Sequence, residues 1–166
     1  DGLVGRGILL DIPRLRGVPW IEPGEHVFRE DLEEAERAQG IAVGEGDILI
    51  VRTGHTRRLA ELGPWDTANA KAGIHPNTMP FVAERGVAAL GSDGNNDTVP
   101  GATEGVGFPI HVLAINAMGV HLIDYLQLEG LHAACERAGR WEFLFVAAPL
   151  RIEGGTGSPI NPIAIL

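Results

Sequence analysis

His111 and Asp124 are the pair whose types and spacing could do chemistry. The stretch from Ile110 to Met118 predicts a helix closed by Gly119, and Val120 to Tyr125 predicts a strand. From His111 to Met118 such a helix runs roughly 12 Å, at about 1.5 Å per residue. If Gly119 reverses the chain, the strand to Asp124 travels back roughly 15 Å, at about 3.3 Å per residue. The two lengths match, which returns Asp124 to the neighbourhood of His111. A neutral imidazole and a carboxylate brought together in this way suit a divalent metal. Spacing alone also fits a histidine that caps a helix and an aspartate that ends a strand, and at this level both readings stand.

Three further residues are candidates for substrate contact. His55, in Arg52-Thr53-Gly54-His55, follows an apolar strand, where ligands gather in open α/β sheets. His75 precedes Pro76 in a loop, and loops carry function disproportionately. Asp93 lies in Gly91-Ser92-Asp93-Gly94-Asn95-Asn96-Asp97, at the end of another apolar strand, and could contact substrate or orient a metal ligand. The spacing there resembles a calcium loop, but the acid expected after the turn glycine is absent, so a tight turn is the better reading. Gly154-Gly155-Thr156-Gly157-Ser158-Pro159 lacks the Lys-Ser or Lys-Thr of a phosphate loop. His121 reads as half-buried and structural, His132 as a surface partner of Glu136 one turn on, and His26 as part of a charged loop. Cys135, the one cysteine, reads as a small core residue in a helix.

The elements that must position these residues alternate. Ile8 to Ile12 predicts a strand, followed by a Pro- and Gly-rich connection through Pro13, Gly17, Pro19 and Pro23. Glu30 to Gln39 predicts a helix with Leu32, Ala35 and Ala38 on one stripe, closed by Gly40. Asp47 to Arg52 and Gly86 to Gly91 predict buried strands, with a short helix from Met79 to Arg85 between them. Leu128 to Ala138 predicts a helix, Trp141 to Pro149 a strand, and the remainder loop. The alternation argues for a mixed α/β layer structure.

With 166 residues, 45% of them hydrophobic, the chain is long enough for one core. A net charge of −9 argues against nucleic acid and against an anionic membrane surface as partners. No window is apolar enough to span a membrane. A single cysteine forms no intramolecular disulfide, so a cytoplasmic setting is expected. The sequon Asn96-Asp97-Thr98 carries no weight without secretory features.

Taken together, several stretches resemble the cyclase family, which includes kynurenine formamidases and isatin hydrolase-like enzymes. They are Gly46-Asp47-Ile48-Leu49-Ile50-Val51-Arg52-Thr53-Gly54, Val87-Ala88-Ala89-Leu90-Gly91-Ser92-Asp93 and Phe108-Pro109-Ile110-His111. Gly119-Val120-His121-Leu122-Ile123-Asp124, Ala148-Pro149-Leu150 and Gly155-Thr156-Gly157-Ser158-Pro159 continue the set. The family signature His-x-Gly-Thr-His-x-Asp, which supplies most metal ligands, is absent. In the family it lies upstream of the strand corresponding to Ile8–Ile12. Formamidases also carry Glu where this chain has Asp124, a shorter carboxylate.

The resemblance implies a central mixed β-sheet with flanking helices, the swivelling β/β/α-like arrangement, incomplete within this chain. It implies that residues 1–166 are the C-terminal part of one hydrolase domain, with a companion N-terminal half before Asp1. It further implies a divalent metal, zinc or manganese, and hydrolysis of an amide-like C–N bond in a small molecule. His111 would be a ligand or a metal-adjacent proton carrier, and Asp124 a ligand. An arylformamidase acting on N-formylkynurenine in tryptophan catabolism is the leading expectation. An isatin-like lactam hydrolase, or a non-catalytic protein that retains the fold, are the alternatives. A half-domain exposes sheet edges and apolar surface, so a homo-oligomer is expected.

Overall fold

Two apolar runs, Ile8 to Leu10 and Ile48 to Val51, are buried on both faces and lie side by side, as continuous apolar strands do in a covered sheet. The computed structural model describes residues 2–166; Asp1, where the expected companion segment would join, lies outside them. In chain order the elements begin with β1 (Leu3–Asp11), α1 (Ile12–Arg16), β2 (His26–Val27), α2 (Arg29–Gln39), β3 (Ile48–Arg52) and α3 (His55–Leu62). Then follow β4 (Gly73–Ile74), α4 (Met79–Glu84), β5 (Ala89–Ser92) and α5 (Pro109–His111), which widens into a π-helical stretch, Val112–Met118. The chain continues through β6 (His121–Ile123), α6 (Glu129–Ala138), β7 (Glu142–Ala147) and β8 (Ile163–Ile165).

The main sheet runs β6-β5-β3-β1-β7-β8. Its first four strands are mutually parallel, and β7 and β8 add antiparallel at the far side. A mixed sheet flanked by helices is the fold class expected from the sequence. One face buries Ile8, Leu10, Leu49, Val51 and Leu90 against residues of α2, α4 and α5. The other buries Leu9, Ile48, Ile50, Phe143 and Phe145 near Cys135 of α6. Each such Leu, Ile or Phe contributes roughly 1.5–3 kcal/mol by leaving water. On this second face, between β6, α6 and the segment after β7, an open groove of about 1380 Å³ remains, lined in part by Leu126, Leu131, Phe145 and Ile160. Burial pushes the Cys135 thiol up to about 11, in keeping with a core residue.

Several sequence expectations need correction. β1 begins at Leu3 rather than Ile8, because Leu3 to Ile8 pair antiparallel with β7. The connection after it contains α1, whose first turn Asp11 caps by accepting from the Arg14 N–H at 3.0 Å. α3 and β8 fall where no element was expected. The strand expected from Gly86 starts only at Ala89, and the one expected from Val120 to Tyr125 is limited to His121–Ile123. On α2 the buried stripe is Leu32, Ala35 and Glu36, with Ala38 exposed. Glu36 accepts from the Val43 N–H at 2.6 Å and from Arg85 at 3.0 Å, so its charge is met inside. His121 is exposed, not half-buried. His132 turns inward to contact the buried Asp11 carboxylate, which Arg52 also meets at 3.0 Å.

The parallel strands β3, β5 and β6 all end on one edge, the place where open α/β sheets bind ligands. That edge is tied by Asp93, fully buried after β5. Its Oδ1 accepts from the Thr53 N–H and hydroxyl, both at 2.8 Å, and its Oδ2 accepts from the N–H groups of Gly54 and His55 at 2.8 and 2.9 Å. Burial pushes this carboxyl up, and the Thr53 donors pull it back. Asp93→Ala leaves three backbone N–H groups and a hydroxyl buried without an acceptor. A loss of about 3 kcal/mol or more is expected in urea unfolding, and a loss below about 1 kcal/mol would contradict this account of the corner.

Candidate active site

Residues 93–97 follow β5 and hold two other segments in place. The backbone of β4 pins this loop, since the Ile74 N–H donates to the Asn96 carbonyl at 2.6 Å. A Cβ on Gly73 would stand only 2.5 Å from the Asp97 carbonyl carbon, so only glycine permits this approach. Asn96 takes the left-handed conformation, φ 60°, which Asn tolerates better than most residues. Its side-chain Nδ2 donates to the Ile123 carbonyl at 3.0 Å and to Asp124 Oδ1 at 2.7 Å, fixing the end of β6.

Asp97, completely buried, does the equivalent for α5. Its Oδ1 accepts from the Ile110 N–H at 2.7 Å, and its Oδ2 lies 2.6 Å from His111 Nδ1. Pro109 opens the helix, at a position where its missing N–H costs nothing. Gly119, left-handed at φ 68°, then reverses the chain into β6. His111 Nε2 and Asp124 Oδ2 meet at 3.2 Å, and both side chains are 29% exposed.

This geometry constrains the chemistry. A carboxylate on Nδ1 favours the tautomer with the proton there, which leaves the Nε2 lone pair facing the lone pairs of Asp124. Two lone pairs at that distance require a positive centre between them, a proton or a metal ion. Two ligands of one tetrahedral zinc, each at about 2.0–2.1 Å, stand roughly 3.3 Å apart, so the observed gap fits. The pair supplies two donors. Among the described residues no group of three or more His, Cys, Asp or Glu side chains converges as a metal cage.

The remaining candidates divide. His55 opens α3, with its ring 4.8 Å from Trp65 and 6.0 Å from Tyr125, the neighbour of Asp124. Burial lowers its pKa, Asp93 opposes this, and Lys71 and Arg58 add to the lowering. Asp93 is enclosed by the corner it ties rather than turned toward the pair. His75 accepts from the Asn77 N–H at 3.1 Å and packs on His26 and Phe28, with ring centroids 5.2 and 4.8 Å away. No hydrogen bond or ion pair among the described residues joins it to His111 or Asp124.

Two residues escaped the sequence reading. Asp97 caps a helix from a distant loop, and capping patterns look only at adjacent residues. Lys71 is the only lysine in the chain, and that singularity was the available signal. It is 6% exposed, and its backbone pairs with Val99. Its Nζ sits 5.4 Å from the Phe108 ring centroid, and the Phe108 ring meets that of His111 edge-on at 5.7 Å. Burial lowers the Lys71 pKa, while the charges of Asp97 and Asp124 hold it up.

Comparison with known proteins matches residues 1–96 to the family described as "Putative cyclase". The isatin hydrolase of Roseibium aggregatum is 28% identical over 148 residues, which are 86% of this chain and 53% of that protein. The crystal structure of a novel cyclase shares 36% identity at a TM-score of 0.87, covering 98% of this chain and 54% of the other. A protein described as a predicted metal-dependent hydrolase from Bacillus stearothermophilus shares the fold at 20% identity and a TM-score of 0.67, covering 98% of this chain and 63% of its own. The chain thus spans about half the length of the curated relative it matches. With the family model matching more than half of its residues, the chain belongs to the cyclase family.

Proposed function

We propose that this chain contributes to a metal-dependent hydrolase that cleaves an amide-like C–N bond in a small molecule. The observation that carries the reading is the 3.2 Å approach of His111 Nε2 to Asp124 Oδ2, with Nδ1 held by a buried carboxylate. His111 and Asp124 hold a divalent cation, zinc or manganese, and its remaining protein ligands come from another segment or a second copy. When bound, such a cation polarises a carbonyl and acidifies water near neutral pH. Asp97 keeps the His111 ring in one orientation and one tautomer, and Asn96 does the same for the Asp124 carboxylate. The resemblance to an isatin hydrolase supports a cyclic amide as substrate over a linear formamide such as N-formylkynurenine.

Zinc and manganese titrations followed by calorimetry test the assignment. His111→Ala and Asp124→Asn are expected to weaken binding of the preferred ion by at least about tenfold each. Asp124→Asn leaves the melting temperature little changed, whereas His111→Ala lowers it by stripping the buried Asp97 of a partner. Asp97→Ala, which touches no metal, is expected to weaken it by about 10–100-fold by freeing the ring. Metal affinity unchanged in His111→Ala would overturn the site. The chain alone is expected to show little or no hydrolysis. In the assembly that supplies the remaining ligands, turnover of isatin against N-formylkynurenine decides between lactam and formamide, and both rates should fall in His111→Ala.

A further inference from the structure

Lys71 has a role that the metal pair leaves unexplained. A lysine that is 6% exposed is costly to charge unless something compensates it. Among the described residues its Nζ makes neither a hydrogen bond nor an ion pair. Asp97 and Asp124 steady the ammonium only from beyond ion-pair reach, and both are engaged elsewhere, Asp97 with α5 and Asp124 with Asn96 and His111. The Phe108 ring offers a cation–π contact at 5.4 Å, which compensates an ammonium only partly. That same ring is 50% exposed and lies edge-on to His111, so it offers an apolar surface beside both the ammonium and the imidazole.

From this placement we infer that Lys71 holds the carboxylate of an aromatic ligand that stacks along Phe108 beside His111. The ammonium supplies the charge-assisted donors, and the ring supplies the apolar surface. The inference deepens the hydrolase reading, on which it rests for the ligand's identity: the carboxylate is a substituent of the aromatic amide, apart from the bond that is cut. Lys71 would then anchor the ligand by that substituent while His111 and Asp124 face the amide.

Benzoate and benzamide are matched probes, one with a carboxylate and the other with a neutral amide. In calorimetric titration of the intact protein, Lys71→Met is expected to weaken benzoate binding by about tenfold or more, and Lys71→Arg by much less. Benzamide binding should stay within about threefold across all three proteins, since it loses no charged partner. With only one lysine, protein made with 15N-lysine gives a single side-chain Nζ resonance, which should shift with benzoate and stay in place with benzamide. Equal losses for both probes in a protein that melts normally would indicate a packing role and overturn the inference. So would a wild-type Nζ resonance that ignores benzoate. Neither readout needs turnover or metal, so a failed metal titration and a failed benzoate titration remain separate results.

Discussion

The candidate site depends on polar side chains buried within one short loop. Asp93, Asn96 and Asp97 are all inaccessible to water, and each is buried only because backbone donors or acceptors of other segments complete it. A buried polar group left unmet costs about 1–3 kcal/mol, so the three together force the ends of β3 and β6 and the start of α5 into fixed relation. The hydrophobic sheet determines that these ends share an edge. The loop determines the spacing at ångström precision, which apolar packing alone does not enforce. Asn96 Oδ1 finds no partner among the described residues, and Asn96 carries a left-handed backbone, so the loop holds some unfavourable geometry in return for that placement.

How much of this was legible in the sequence follows from which forces were local. The meeting of His111 with Asp124 could be reasoned from one glycine, because Gly119 reverses the chain. The lengths assumed for the two arms were less well met, since the helix is largely π-helical and β6 stops at Ile123. β3 and α2 were legible because their periodicity is a property of adjacent residues. β8 was not, because Ile163 to Ile165 is ordered by pairing with β7 and carries no pattern of its own. α3 was missed because its helix starts after a left-handed Gly54 that is packed against Trp20 and tied by Asp93, a constraint from far along the chain. His132 was misread for a related reason. The i,i+4 pair with Glu136 is real but long at 3.9 Å, whereas the contact with Asp11 crosses from α6 to β1.

The chain covers 53% to 63% of the relatives named above, and the site itself is sparse. Two donors are held with care, yet no third joins them within the described residues. On the second face of the sheet, the groove beside α6 has apolar walls, and Leu144, Ile163 and Ile165 lie exposed at the antiparallel side. Surfaces of this kind are characteristic of faces that pack against further protein. The pair thus stands as two donors alone among the described residues, and the groove stands open.

The stretch from Pro100 to Phe108 is exposed throughout and belongs to no strand or helix, yet it leads directly into α5. Because Asp97 grips Ile110 and His111 from before this stretch, the length and composition of the intervening residues do not set the imidazole's position. Phe108, by contrast, moves with them. The residue at position 108 can therefore change, or shift with its loop, while the spacing of His111 and Asp124 stays fixed.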